Sequence, residues 1–394
     1  MIKIRTLDDL RTLPARVFYR ADYNVPLDGA RVADATRIEE TLPTLRRLRD
    51  AGCPIVIASH LGRPKGERDP KYSLEPVRAR LAELLAIDVQ WADDCVGDEA
   101  TTKAAALQAG EVLLLENLRF HAEEEENDQQ FAGELRKLGE VYVNDAFGGS
   151  HRAHASIQAL PRLFPTERTA GGLLMAKEID FLQKVTTNIE HPFLALLGGA
   201  KIAGKIEPLQ ALVKLADTLV IGGGMANTFL AAKGMRMGNS LVDTESLDVA
   251  ARLLAGREAM ILLPSDLTIT NSLDQPTDVK TVGVADGVPH GMMAVDIGPR
   301  TINQYASQIA GARTIFWNGP MGVFEKEQFA KGTMAMAKAV ADSRAISIVG
   351  GGESVEAVKA SGFAEKINHI STGGGASLEF ISGAALPGVE VLRV

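Results

Sequence analysis

The chain has 394 residues, 46% of them hydrophobic and 23% charged, with a net charge of −8. That length suits two ordinary domains with sizeable cores, and the acidic balance argues against a nucleic-acid binder, which carries a basic surface. Two cysteines without CxxC spacing, Cys53 and Cys95, exclude a disulfide framework and point to a reducing cytoplasm; "MIKIRTLDDL" lacks a signal-peptide core, and no apolar run approaches ~18 residues.

In chain order, "VFYRADYNV", "CPIVIASH", "EVLLLEN" and "EVYVNDAF" read as buried strands. Between them, "RIEETLPTLRRLRDAG" and "LEPVRARLAELLA" carry the i, i+3, i+4 spacing of helices. "LPRLFPTERTAGG" marks a break, and "LLMAKEIDFLQKV" predicts one helix joining two halves. Strands resume with "PFLALLGGA", "DTLVIGGG", "AMILLPSD", "RTIFWNGP", "AISIVGGG" and "INHISTGG". Such alternation implies parallel sheets covered by helices, and about eleven strands suit two sheets better than one.

Ligands of open α/β sheets bind beyond the carboxyl ends of the strands. In the first half those ends and adjoining loops gather Arg20, Arg37, His60, Arg63, Arg119, His151, Arg152 and His154. Guanidinium forks grip carboxylate and phosphate, so the group suits a small polyanion. His121, His191, His290 and His369 read as structural. In the second half the ends are glycine-rich, offering backbone amides and helix dipoles to phosphates. From Gly199, "GAKIAGK" has the spacing of a P-loop, but Ile206 stands where that motif needs Ser or Thr. Lys201 and Lys205, four apart, are expected on one face at a helix start, where lysines are unfavourable unless an anion is present.

The segments "YRADYNVP", "SHLGRP", "ENLRF", "NDAFGGSHRAHAS", "LGGAKIAGKI", "IGGGMANTF", "WNGPMGVFE", "GGGES" and "STGGGASLE" follow in the order of the phosphoglycerate kinase family, and the chain resembles that family over nearly its whole length. The resemblance implies two Rossmann-like three-layer α/β domains joined by a hinge helix. Their expected extents are 1–169, with a returning tail of about 376–394, for 3-phosphoglycerate, 170–185 for the connector, and 186–375 for the nucleotide. It implies a cytoplasmic, monomeric, glycolytic enzyme acting on 3-phosphoglycerate or 1,3-bisphosphoglycerate and ATP or ADP with Mg²⁺, and no nucleic-acid or membrane partner. Carried over by motif, Asp22, Asn24, Arg37, His60, Leu61, Gly62, Arg63, Arg119 and Arg152 would bind the glycerate substrate. Lys201, Lys205, Gly222, Gly223, Asn318, Val323, Glu325 and Gly351, Gly352, Glu353 and Ser354 would bind the nucleotide, with Glu353 serving the metal. Arg37, Lys201 and the amides of Gly373, Gly374 and Gly375 would act on the transferring phosphoryl group.

Two positions depart from the family pattern. Gly204 stands where the family usually has Asp, which creates the accidental P-loop spacing, and Glu353 stands where Asp is usual. A P-loop NTPase and a non-catalytic kinase-fold scaffold are the alternative functions.

Overall fold

The computed structural model describes residues 2–257 and 260–394. The chain divides into two compact units, one of residues 1–180 with 385–394 and one of residues 181–384. The tail belonging to the first unit thus starts at Ala385, and residues 376–384 belong to the second.

In the first unit, β1 (Val17–Arg20), β4 (Ile55–Ala58), β5 (Val89–Ala92), β6 (Val112–Leu115), β7 (Val141–Asn144) and β8 (Thr169–Gly171) form one sheet; β2 (Leu27–Asp28) and β3 (Arg31–Val32) make a small antiparallel ribbon. The sheet order is β5-β6-β4-β1-β7-β8, every pair parallel. Strands β1, β4, β6 and β7 are buried at every position, as strands covered on both faces must be, so their sequences read as continuous apolar runs. Tyr19, Ile57, Leu114 and Val143 pack with Leu45, Leu48, Val77 and Leu81 from the helices Leu42–Asp50 and Glu75–Leu85. The tail closes the unit: the Arg5 N–H donates to Leu392 O at 2.8 Å, and the Val394 N–H to Lys3 O at 3.0 Å.

In the second unit, β9 (Phe193–Leu197), β10 (Thr218–Ile221), β11 (Ile261–Leu262), β15 (Thr314–Asn318), β16 (Ile346–Gly350) and β17 (His369–Ile370) form a parallel sheet of order β11-β10-β9-β15-β16-β17. The run read as "AMILLPSD" supplies β11; its first residue, Ala259, lies outside the described residues. Trp317, fully buried on β15, packs with Leu196, Val220, Tyr305, Met336 and Val349. A further antiparallel sheet, β13-β12-β14, is built from β12 (Asp266–Thr270), β13 (Val279–Gly283) and β14 (Met293–Ile297). Periodicity did not predict this sheet: β13 is largely exposed and lacks an apolar run. The short β5 and β8 were missed too, β8 because its three residues lie inside the segment read as a break. The helix Leu173–Gln183 forms where one joining helix is expected.

Candidate active site

The carboxyl ends of β1, β4 and β6 carry the polar residues of the first unit. Beyond β1, Asp22 accepts the Asn24 N–H at 3.2 Å and the Arg37 guanidinium at 3.0 Å. Arg37 also donates to Asn24 O at 3.2 Å. Asn24 Oδ1 takes the Gly62 N–H at 2.9 Å, and Gly62 O takes Arg119 Nη1 at 2.8 Å. One chain of hydrogen bonds therefore joins Arg37, Asp22, Asn24, Gly62 and Arg119 from three strand ends. Asn117 orders the Arg119 turn: its Oδ1 accepts the Arg119 N–H at 3.0 Å, and its amide donates to Leu61 O at 2.7 Å and Tyr72 O at 2.9 Å.

The electrostatics show that the basic groups confront one another. His60 is buried, and burial, reinforced by Arg20, Arg119, Arg37 and His154, holds its pKa well below the ordinary range. Burial and the charges of Arg119, Arg20 and Arg152 bring His154 down to about 3. Burial, with Arg20 and Arg152 adding repulsion, lowers the Arg119 guanidinium to about 10. Arg119 Nε lies 3.3 Å from Glu125 without forming a hydrogen bond, so a buried donor is left unbonded. A buried donor without a hydrogen bond, among guanidinium groups that repel one another, is what an anion would relieve.

Arg20, Arg37, His60, Arg119, Arg152 and His154 thus share one region of the first unit. Arg20 is more anchor than arm: it is 1% exposed, donates to Ser156 Oγ at 2.7 Å and lies 3.7 Å from Glu124. Arg63 is exposed and makes no ion pair or side-chain hydrogen bond among the described residues. Sequence reading passed over Glu124 and Asn117; an Asn two residues before Arg119 is the capping signal that could have marked the latter.

In the second unit, a pocket of about 200 Å³ is lined by Gly199, Gly223, Val323, Glu325 and Glu353, with Asn227, Leu241, Asp296 and Met321 among the other residues. Gly223 needs its missing side chain: φ is +63°, and a Cβ would stand 2.9 Å from Gly199 N, Gly199 O and Pro320 O. Gly351, at φ +93°, would set a Cβ 2.8 Å from the amide of Asn318, which itself donates to Gly350 O at 2.9 Å. Gly222 closes against Met321. The helices Gly223–Ala232, Gly352–Ala360 and Gly374–Ile381 all start at glycines following strands, so Gly374 and Gly375 present amides at a helix start, whereas the Gly373 N–H donates to Ser371 Oγ at 3.2 Å.

The expectation for the two lysines is corrected. The helix begins at Ile206 with Lys205 at its N-cap, and Lys201 lies in the preceding turn, so they do not share a helical face. Gly204, at φ +79° in that turn, prevents the helix from starting earlier. Lys205 Nζ donates to Gly198 O at 3.2 Å, and burial lowers its pKa although Glu353 opposes the shift. Lys201 is exposed. Ser354 points inward: it is fully buried and its hydroxyl accepts the Gly319 N–H. Asp296, missed from sequence, lines the pocket while accepting the Gly332 N–H at 2.7 Å and the Ile297 N–H at 2.9 Å; burial pushes it up to about 7.

Two parallel α/β units, one gathering guanidinium groups and the other glycine turns at its strand ends, define a phosphotransferase. The family model described as phosphoglycerate kinase matches residues 7–384, and the chain belongs to that family. It is 52% identical to the phosphoglycerate kinase of Koribacter versatilis over 98% of both chains, and 51% identical to that of Moorella thermoacetica, also over 98% of both. The phosphoglycerate kinase structure from Coxiella burnetii superposes with a TM-score of 0.88 at 35% identity, covering 99% of both chains. The P-loop NTPase and scaffold readings are not favoured.

Proposed function

We propose that this member of the family transfers a phosphoryl group reversibly between 1,3-bisphosphoglycerate and ADP, giving 3-phosphoglycerate and ATP. The observation that carries the site assignment is the meeting of Arg37, Arg119, Arg152 and His60 around a buried, unbonded Arg119 nitrogen. These groups, with Asp22 and Asn24 toward the glycerate hydroxyl and carboxyl region, would receive the three-carbon acid. The glycine-lined pocket of the second unit would receive the nucleotide, with Val323 beside the base and Glu325 on the ribose.

Both reacting oxygens, a carboxylate and a phosphate, are ionised at neutral pH, so no general base is required. The chemistry then consists of alignment and charge neutralisation. Arg37, Lys201 and the amides of Gly374 and Gly375 are proposed to neutralise the phosphoryl group in flight. Because the two substrates are assigned to different units, transfer requires domain closure, and small-angle scattering should record a smaller radius with both ligands bound.

Magnesium fits the residues present. Glu353 is an exposed carboxylate at the start of the helix Gly352–Ala360 and lines the pocket, and Mg²⁺ commonly takes one or two carboxylates with substrate phosphates. Bound there, the ion would add charge to the phosphate end of the nucleotide. Glu353 would hold it, while Lys205 and the Gly351 and Gly352 amides hold the phosphates. Among the described residues no helix is long and apolar enough to cross a membrane. By resemblance to the family, we read the protein as a cytoplasmic monomer. A coupled assay with 3-phosphoglycerate and Mg-ATP tests the proposal: turnover that requires both substrates is expected. Hydrolysis of ATP without the acid, or no turnover, would overturn it.

A further inference from the structure

A second constellation lies in the first unit, apart from the residues assigned above. Asp94 and Cys95 lie two and three residues past the end of β5, and His121 ends the turn Leu118–Phe120 that follows β6. The two strands are paired neighbours with Ala92 opposite Leu115, so the sheet sets these loops side by side. Among the described residues, these three form the one group of His, Cys, Asp or Glu whose donor atoms all lie within 4.8 Å of one another.

We propose that Asp94, Cys95 and His121 bind a divalent cation of the zinc type through a carboxylate oxygen, a thiolate sulfur and an imidazole nitrogen. Mixed sulfur, nitrogen and oxygen donors select such an ion over Mg²⁺ or Ca²⁺. Zn–S and Zn–N bonds of ~2.3 and ~2.0 Å place the donors of a tetrahedral site about 3.3–3.8 Å apart. His121 Nε2 is now 2.7 Å from Asp94 Oδ1, so that pair must open by about half an ångström, within a side-chain adjustment. Asp94 Oδ1 also accepts the Cys95 N–H at 2.6 Å, and the His121 ring rests against Phe131 at 5.2 Å between centroids. The donors are therefore already held by the fold.

Access agrees with this assignment. Cys95 is fully buried, whereas Asp94 and His121 are half-buried, leaving an approach for the ion and for a water as fourth ligand. For a neutral His121, binding shifts the ring proton from Nε2 to Nδ1, replaces the His121–Asp94 hydrogen bond with two metal bonds and exchanges the thiol proton for the metal, releasing one proton to solvent; a protonated ring releases a second. Since His121 is two residues beyond Arg119, the ion would also brace that arginine's turn.

The test is titration of the full-length, chelator-treated protein with Co²⁺ as probe. One equivalent should bring a thiolate-to-cobalt charge-transfer band together with the visible bands of four-coordination, and Zn²⁺ should abolish both. The bands should vanish in Cys95→Ser and persist in Cys53→Ser. His121→Gln, which keeps the thiol, should weaken binding at least tenfold and serves if Cys95→Ser does not fold. Absence of the bands in the unaltered protein, their survival in Cys95→Ser, or unchanged affinity in His121→Gln would overturn the assignment.

Discussion

Asp22 grips the Arg37 guanidinium at 3.0 Å while lying 3.9 Å from His60 Nε2, so one carboxylate aims the arginine and faces the histidine. Asp22 is nearly buried, whereas the Arg37 side chain is 33% exposed, which leaves the arginine room to reach a ligand while keeping its anchor.

If Arg37 serves the phosphoryl group, Arg37→Ala should lower kcat by ~10²–10³ and leave nucleotide affinity nearly unchanged. Steady-state kinetics paired with calorimetric titration of ADP separates the two; a defect confined to nucleotide binding would remove Arg37 from the reacting centre.

Glu353→Ala should raise the Mg²⁺ concentration for half-maximal activity several-fold, while Glu353→Asp, the residue usual in the family, should keep or lower it. A magnesium titration of the three proteins decides, and identical curves would leave Glu353 without a metal role.

Gly223→Ala forces a methyl group against three backbone atoms at a positive φ. A loss of about 1–3 kcal/mol is expected for the second unit, along with weakened nucleotide binding. At Gly204 nothing lies within 4 Å of a Cβ, but φ is +79°, so Gly204→Asp should cost about 1–2 kcal/mol from backbone strain alone. Chemical denaturation of both variants gives the comparison.

Two buried groups tilt stability with pH in opposite directions. His154 titrates at about 3 in the fold against 6.5 ordinarily, so between those values the unfolded chain holds more protons and stability rises with pH. Asp296 titrates at about 7 against 3.8, so the folded protein holds the extra proton and stability falls as pH rises across that window. His154→Gln and Asp296→Asn should each remove their own slope. Trp91 reports the first unit and Trp317 the second, so fluorescence-detected urea midpoints across pH assign each effect; a slope unchanged in its variant would refute the corresponding sign.

Much of this was legible in the sequence for a definite reason. Strands buried on both faces appear as unbroken apolar runs, and the residues expected to meet ligands come at their carboxyl ends, as Asp22 lies two residues past β1 and Gly222 follows β10. What failed depends on three-dimensional company. Lys201 and Lys205 looked like helix partners until Gly204 interrupted the turn, and Ser354 reads as a nucleotide ligand by motif, whereas its hydroxyl accepts the Gly319 N–H. Asp296 has no motif at all, and only the fold turns β14 toward the pocket. His121 reads as structural from the sequence; that Asp94 and Cys95 stand beside it is visible only once β5 and β6 pair.

The return of residues 385–394 to the unit begun by residues 1–180 makes the second unit an insertion within the first. During synthesis the inserted portion has all its residues in hand first, while its host waits for the final ten. Folding on the ribosome should therefore finish in the reverse of the order in which the units begin, with the second unit protease-resistant in nascent chains whose first unit is still cleavable.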